Sequence, residues 1–171
     1  DDPQKRVLAA TVGDVRIVDL YVVNGEKVGS EKFAYKLRWI EAVRAWLREE
    51  LITHPNMVVL GDFNIAPDDR DVHDPKRWRE KILCPTPDRH ALRSLLHHGL
   101  PDTFRLFNDE PGHPSWWDYR LAAFQRNWGL RIDLALVSDA LRPRITAAGI
   151  DKAPRTWERP SDHTPVWLQI D

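Results

Sequence analysis

Short apolar runs and two longer amphipathic stretches follow one another along the chain, and their order predicts its elements. Arg6 to Val12 and Val15 to Val23 are rich in Val, Ile and Leu and predict two strands, with Gly13-Asp14 between them as a hairpin signal. Asn24-Gly25 predicts a turn, and a polar loop follows to Ser30. Ser30 is placed to cap a helix, and Glu31 just after it suits the positive end of the helix dipole. Phe33, Leu37, Ile40, Val43, Leu47 and Leu51 then recur at helical spacing, so a long amphipathic helix is expected as far as Ile52, ended by His54-Pro55. Met57 to Phe63 predicts a buried strand, followed by a long polar loop through Asp74. Pro87 to His98 predicts a second helix, closed by Gly99, and Leu106 to Ser115 predicts a loop. Ile132 to Val137 and Ile145 to Ile150 read as strands, and Thr164 to Ile170 alternates as a half-exposed last strand. Strands come first, a hairpin among them, with helices interspersed. That order predicts an α/β sandwich with mixed or antiparallel sheets.

Composition narrows the class without naming a function. The 171 residues fit one domain with a sizeable core, and 42% hydrophobic against 30% charged residues is an ordinary globular mixture. A net charge of −1, from 25 basic and 26 acidic residues, neither demands nor excludes nucleic acid, because a binder can hold a basic face on a neutral body. The single cysteine, Cys84, forbids an internal disulfide and fits a reducing cytoplasm. No apolar run is long enough to span a bilayer, so no membrane partner is expected.

Candidate chemistry gathers in four places at or near strand ends, where active sites collect. In Gly61-Asp62-Phe63-Asn64, positions i and i+2 of an extended segment share a face, so Asp62 and Asn64 aim at one point. A carboxylate can take a proton from water while a carboxamide holds a phosphate oxygen; by itself the tetrapeptide is as readily a turn. Asp133 sits among apolar residues and needs a partner, which is either Arg131 on the same face or a catalytic group. Pro160-Ser161-Asp162-His163-Thr164-Pro165 sets an acid and an imidazole between prolines; His163 suits charge stabilisation when a carboxylate orients it, and Asp162 suits a hard cation. Tyr21 and Asn24, where the second strand ends, can donate hydrogen bonds to a phosphate.

The order and flanks of these groups resemble the exonuclease III and AP endonuclease branch of the endonuclease/exonuclease/phosphatase superfamily. The resemblance rests on Asp62-x-Asn64, Ser115-Trp116-Trp117-Asp118-Tyr119-Arg120, Arg126-Asn127-Trp128-Gly129-Leu130-Arg131-Ile132-Asp133 and Ser161-Asp162-His163-x-Pro165, and it covers the whole chain. It implies a two-layer β-sandwich flanked by helices, in αββα order, and Mg²⁺- or Mn²⁺-dependent hydrolysis of DNA phosphodiesters at 3′ ends and abasic sites of duplex DNA. It also implies a monomer once the domain is complete. By motif, Asp62 would position or deprotonate water and Asn64 would hold the phosphate. His163, oriented by Asp133, would stabilise phosphoryl charge, and Asp162 would serve the metal. Tyr21 and Asn24 would contact the scissile phosphate. Trp116, Leu130 and Ile132 would line an abasic pocket, while Trp128, Asn127 and Arg126 would face DNA. The alternatives are a related phosphoesterase acting on RNA or small phosphoesters, and a catalytically incomplete DNA-binding fragment.

The chain also departs from the pattern. Val23 stands where the family commonly has proline. The family's domain opens with an Asn-bearing strand and then a strand ending in a metal-binding Glu, and neither has a counterpart here. The chain opens on Asp1-Asp2-Pro3 instead. The expectation is therefore that residues 1–171 are the C-terminal two-thirds of one such domain, without its N-terminal strands. Weakened metal affinity and an exposed sheet edge are expected to follow.

Overall fold

The computed structural model describes residues 4–79 and 81–171, so the opening Asp1-Asp2-Pro3 lies outside the described residues. Strand β1 (Val7–Val12) turns back antiparallel into β2 (Val15–Tyr21), with Val12 paired to Val15. Helix α1 (Glu31–Thr53) follows, its first turn capped by Ser30, whose Oγ accepts from the Phe33 amide at 3.1 Å. β3 (Met57–Asp62) then lies parallel to β2. The short helix α2 (Pro75–Trp78), α3 (Thr86–His97) and the short α4 (Thr103–Phe107) come next. Two-residue strands β4 (Trp116–Trp117) and β5 (Gly129–Leu130) pair with each other, β6 (Asp133–Val137) joins the main sheet, and β7 (Ile145–Ile150) pairs with β8 (Val166–Ile170).

The main sheet is mixed, in the order β1-β2-β3-β6, and both of its faces carry apolar side chains. One face sets Val18, Leu20, Val59, Leu134 and Leu136 against Trp39, Ile40, Val43 and Leu47 of α1 and Leu92 and Leu95 of α3. The opposite face sets Val58 and Val137 with Ile17 and Leu60 against Ile145, Leu168 and Ile170 of the β7–β8 pair. Helices, sheet and a second sheet therefore stack in layers, as expected of a mixed α/β sandwich.

Several details differ from the sequence reading. β2 ends at Tyr21, although Val22 stays in line by donating its amide to the Asp62 carbonyl at 2.9 Å. Helix α4 takes in Leu106 and Phe107, expected as loop; Asp102 caps it by accepting from the Phe104 amide at 3.1 Å. In α1 the buried face includes Lys36 and Trp39, while Leu37 is only half-buried. Edge strand β1 leaves Leu8 70% exposed and Val12 63% exposed.

Candidate active site

Pairing register brings the first residues together. Tyr21 of β2 lies opposite Asp62 of β3, which lies opposite Asp133 of β6, so three neighbouring strands deliver three polar side chains to one end of one sheet face. Gly61 makes the approach possible. Its φ of +131° is a glycine conformation, and a Cβ there would sit 2.0 Å from the Leu20 carbonyl oxygen.

Asn64 completes this corner from a left-handed turn, φ 49°, which asparagine tolerates better than most residues. Its backbone amide donates to Asp62 Oδ1 at 2.8 Å, and its Nδ2 donates to Asp62 Oδ2 at 3.1 Å and to the Val22 carbonyl at 3.0 Å. Its Oδ1 accepts from Asn24 Nδ2 at 3.0 Å. Beneath it, buried Lys36 donates from Nζ to the Asn64 carbonyl at 3.0 Å and to Asp88 Oδ2 at 2.5 Å.

A second chain of bonds fixes the imidazole. His163 Nδ1 donates to the Asp133 carboxylate at 3.0 and 2.9 Å, which fixes the ring with Nε2 pointing away from Asp133. Fully buried Ser115 holds Asp133 in turn. Its Oγ donates to Asp133 Oδ2 at 2.7 Å and accepts the amides of Ile132 and Asp133 at 3.1 and 3.0 Å. The motif reading contained Ser115 without giving it a task. A single serine carries no signal until its three bonds are seen.

Electrostatics separates the two acids. Burial, and then the charge of Asp133, push the Asp62 carboxyl up to about 6, against the Asn64 amide, His163 and Lys36, which favour its charged form. A carboxylate of that strength is suited to take a proton near neutral pH. Burial alone would lower His163, but its bond to Asp133, that residue's charge and those of Asp62 and Asp162 raise it overall.

Asp62, Asp133 and His163 offer ligand atoms that all lie within 4.8 Å of one another. Two carboxylates this close, one already driven toward protonation, are a donor set that a hard divalent cation would relieve. Asp162 is not among these three. Its Oδ2 accepts from the Trp116 indole Nε1 at 3.0 Å.

The remaining candidates fall into two groups. Tyr21, 52% exposed, stays at the open end of the face with Arg6 above its ring, and Asn24 is exposed beside Asn64. By contrast Leu130 and Ile132 are fully buried in a cluster with Ala66, Val72, Leu83 and Cys84, against which Trp116 packs. Asn127, at φ 53°, staples its loop by donating to the Gly112 carbonyl at 3.1 Å and accepting from Trp117 Nε1 at 3.3 Å. Arg126 lies over Trp128 at 4.5 Å, and Trp128 stacks on His73. Arg131 does not pair with Asp133. It is buried and bonded to Asp71 and Asp102 at 2.7 and 2.6 Å, tying the Asp69–Asp71 turn and α4 to the strand region.

Residues 2–163 match the Endonuclease/Exonuclease/phosphatase family. Exodeoxyribonuclease III of Haemophilus influenzae is 34% identical over 99% of this chain and 68% of its own length, and an exodeoxyribonuclease of Bacillus subtilis is 33% identical over 99% and 66%. Among solved structures, a Neisseria 3′ phosphatase bound to a product DNA hairpin superposes with a TM-score of 0.97 at 47% identity, covering 100% of this chain and 66% of that one. An AP endonuclease of Archaeoglobus fulgidus gives 0.92 at 31% identity, covering 97% and 65%. The chain belongs to the endonuclease/exonuclease/phosphatase family, as an exonuclease III-like member. It spans about two thirds of the length of the relatives it matches. Among the described residues, no helix is long and apolar enough to cross a membrane.

Proposed function

We propose that these residues form the greater part of one domain that hydrolyses phosphate esters of duplex DNA in repair, at 3′ ends and abasic sites, in the cytoplasm and as a monomer. The observation that carries the reading is the facing pair of bonded sets: Asp62 with Asn64 on one side, Ser115-Asp133-His163 on the other. Phosphoryl transfer needs positioning and charge stabilisation more than covalent help. Asp62, held at both oxygens, aims at a water and takes its proton. Asn64 and Asn24 orient a phosphate oxygen. His163 Nε2, backed by Asp133, stabilises the charge that grows on the phosphoryl group, and Tyr21 donates from the strand end. A Mg²⁺ or Mn²⁺ ion at this site, to which Asp162 would contribute a ligand oxygen, would supply further neutralisation of that charge. The relatives include an exodeoxyribonuclease, an AP endonuclease and a 3′ phosphatase bound to a DNA hairpin, which supports DNA as the substrate.

The test is a substrate panel with Mg²⁺: duplex DNA with a 3′ phosphate, with a flush 3′ end and with an abasic site, alongside RNA and a small phosphomonoester. Cleavage confined to the DNA substrates, and lowered at least about a hundredfold by Asp62→Ala, is the expected result. Faster turnover of RNA or the small ester would move the function to a related phosphoesterase. Tight DNA binding with no cleavage of any substrate, in the unaltered protein, would leave a binding fragment.

A further inference from the structure

Arg155 is a buried cation with no acidic partner among the described residues. It is 7% exposed and lies in the short turn Ala153–Thr156, on the connection from β7 to the Pro160–Pro165 segment. Its Nε has no hydrogen-bond partner among the described residues. Taking a guanidinium out of water without a counter-ion is costly, so a fold keeps one inside only where other contacts compensate.

Three aromatic rings supply part of that compensation. The guanidinium carbon lies 5.0 Å from the ring centroid of Phe124, 5.5 Å from that of Tyr119 and 5.7 Å from that of Trp117. Trp117 is fully buried and meets Phe124 edge-on at 5.1 Å, with 86° between planes, so the cage is itself packed. Ring faces attract a desolvated cation, and a planar guanidinium matches them better than an ammonium does. The cage fixes where the cation sits, and from there Nη1 donates to the Ser161 carbonyl.

That carbonyl belongs to the segment that carries His163. Ser161 accepts the His163 amide on its own Oγ at 3.1 Å, so one residue both holds the backbone of the imidazole and is held by Arg155. Asp151 ties the same two stretches farther along. Its amide donates to the Pro165 carbonyl at 2.9 Å, and its carbonyl accepts from Thr164 Oγ1. Asp151 also starts the turn that carries Arg155, accepting the Ala153 amide on Oδ1 at 2.9 Å. Residues 151–155 and 161–165 are therefore two spans joined at one end by Asp151 and at the other by Arg155. His163 lies between these ties, with its ring on Asp133. Freeing the Arg155 end lets the Ser161–Asp162 peptide turn, and a displacement of about 1 Å at a site costs up to about a hundredfold in rate.

We propose that Arg155 is a positioning residue for His163: seated in the cage of Trp117, Tyr119 and Phe124, it fixes the Ser161 carbonyl and so sets the imidazole against Asp133. The proposal rests on the nuclease reading above for the rate it affects, but not for the geometry.

Two variants test it. Arg155→Met keeps an apolar chain in the cage and removes the donor, and Arg155→Ala empties the cage; each is first checked for a cooperative melt. In both, kcat on a 3′-phosphate duplex with Mg²⁺ is expected to fall about tenfold or more with KM little changed. Millimolar ethylguanidinium should return part of the lost kcat to Arg155→Ala and none to Arg155→Met. Histidine ring-nitrogen NMR of the metal-free protein, at a pH where His163 is neutral, gives a readout that needs no activity. The ring proton is expected on Nδ1 in the parent and divided between both nitrogens in the variants. Parental kcat in a folded variant, a folded Arg155→Ala that ethylguanidinium leaves unrepaired, or an unchanged His163 tautomer would each overturn the proposal. Should Arg155→Ala not fold, Arg155→Met and its tautomer decide; failure of both to fold would make Arg155 a support of the core and overturn the proposal as well. A parent inactive on every DNA substrate, whose His163 tautomer still depends on Arg155, sinks the nuclease reading alone. An active parent whose tautomer ignores Arg155 sinks this proposal alone.

Discussion

The indole of Trp116 donates to Asp162 at 3.0 Å, one residue before the imidazole that faces Asp133. It does not act alone. The Trp117 amide donates to the Asp162 carbonyl at 3.0 Å, Tyr119 Oη donates to the Pro160 carbonyl at 2.8 Å, and the Thr164 amide donates to the Ser115 carbonyl at 2.8 Å. Arg155, nearly buried among Trp117, Tyr119 and Phe124, donates to the Ser161 carbonyl. The Ser115–Tyr119 run thus grips the segment that carries His163. Trp116→Phe keeps the ring and removes the donor to a charged acceptor, a bond worth about 1.5–3 kcal/mol. The expected result is a kcat lowered about tenfold or more with KM little changed, measured on 3′-phosphate duplex. Unchanged kcat would show that the His163 segment is held without this bond.

Ser115 makes a sharper case for stability. Ser115→Ala takes an acceptor from the buried Ile132 amide and the half-buried Asp133 amide and removes a donor to Asp133. Each orphaned group costs about 1–3 kcal/mol, so a loss of roughly 3 kcal/mol is expected in urea unfolding, with His163 freed to turn. A variant within about 0.5 kcal/mol of the parent would mean that water replaces the hydroxyl.

Asp62 predicts a pH signature in the metal-free protein. Its folded carboxyl titrates near 6 against an ordinary 3.8, a difference worth roughly 3 kcal/mol. The sign follows from which form the fold disfavours. Below about pH 4 the group is neutral folded or unfolded and costs nothing; between about 4 and 6 the unfolded chain ionises first, so stability falls; above about 6 the full cost remains. Asp62→Asn lacks this cost. Its Tm relative to the parent should therefore rise by roughly 6–12 °C between pH 4 and pH 8. The Asn64 amide loses an acceptor at every pH, which moves the baseline and not the slope. Added Mg²⁺ at pH 8 should raise the parent's Tm and leave the variant's unmoved. A Tm difference that is flat with pH would refute the assignment.

Most of the strands, and α1, were legible because apolar period survives in the sequence, as in Phe33, Ile40, Val43 and Leu47. The side chains that meet at the candidate site, Asp62, Asn64, Asp133 and His163, were legible because each sits in a run with recognisable flanks. What failed had physical reasons. Helix α4 has five residues, too few to show a period. Arg131 and Asp133 were read as sharing a strand face, but Arg131 lies in the break between β5 and β6, where alternation lapses, and its partners Asp71 and Asp102 come from distant segments. Leu130 was read as pocket lining. It is fully buried, and Gly129, whose added Cβ would meet the Trp116 carbonyl oxygen at 2.5 Å, lets β5 pair closely with β4.

Lys36 was invisible for a related reason, since amphipathic patterning assigns a lysine to the wet side of a helix. Its ammonium instead lies wholly buried between Asp88 and the Asn64 carbonyl. Two roles are possible for such an ion pair, stabilising the fold or holding the left-handed turn at Asn64, and two variants separate them. Lys36→Met alone strands Asp88 as an unpaired buried charge and should cost about 3–5 kcal/mol in unfolding experiments. Lys36→Met with Asp88→Leu removes both charges, and buried pairs replaced by apolar groups of similar volume are often neutral or stabilising. In that double variant the Asn64 carbonyl still lacks its donor, so the carboxamide that tethers Asp62 is free to drift. Near-parental stability with kcat lowered about tenfold or more, and KM little changed, is the expected outcome on DNA substrates. A double variant as stable and as active as the parent would show that Lys36 serves packing alone, and that the turn at Asn64 is kept by its own side-chain bonds to Asp62 and Val22.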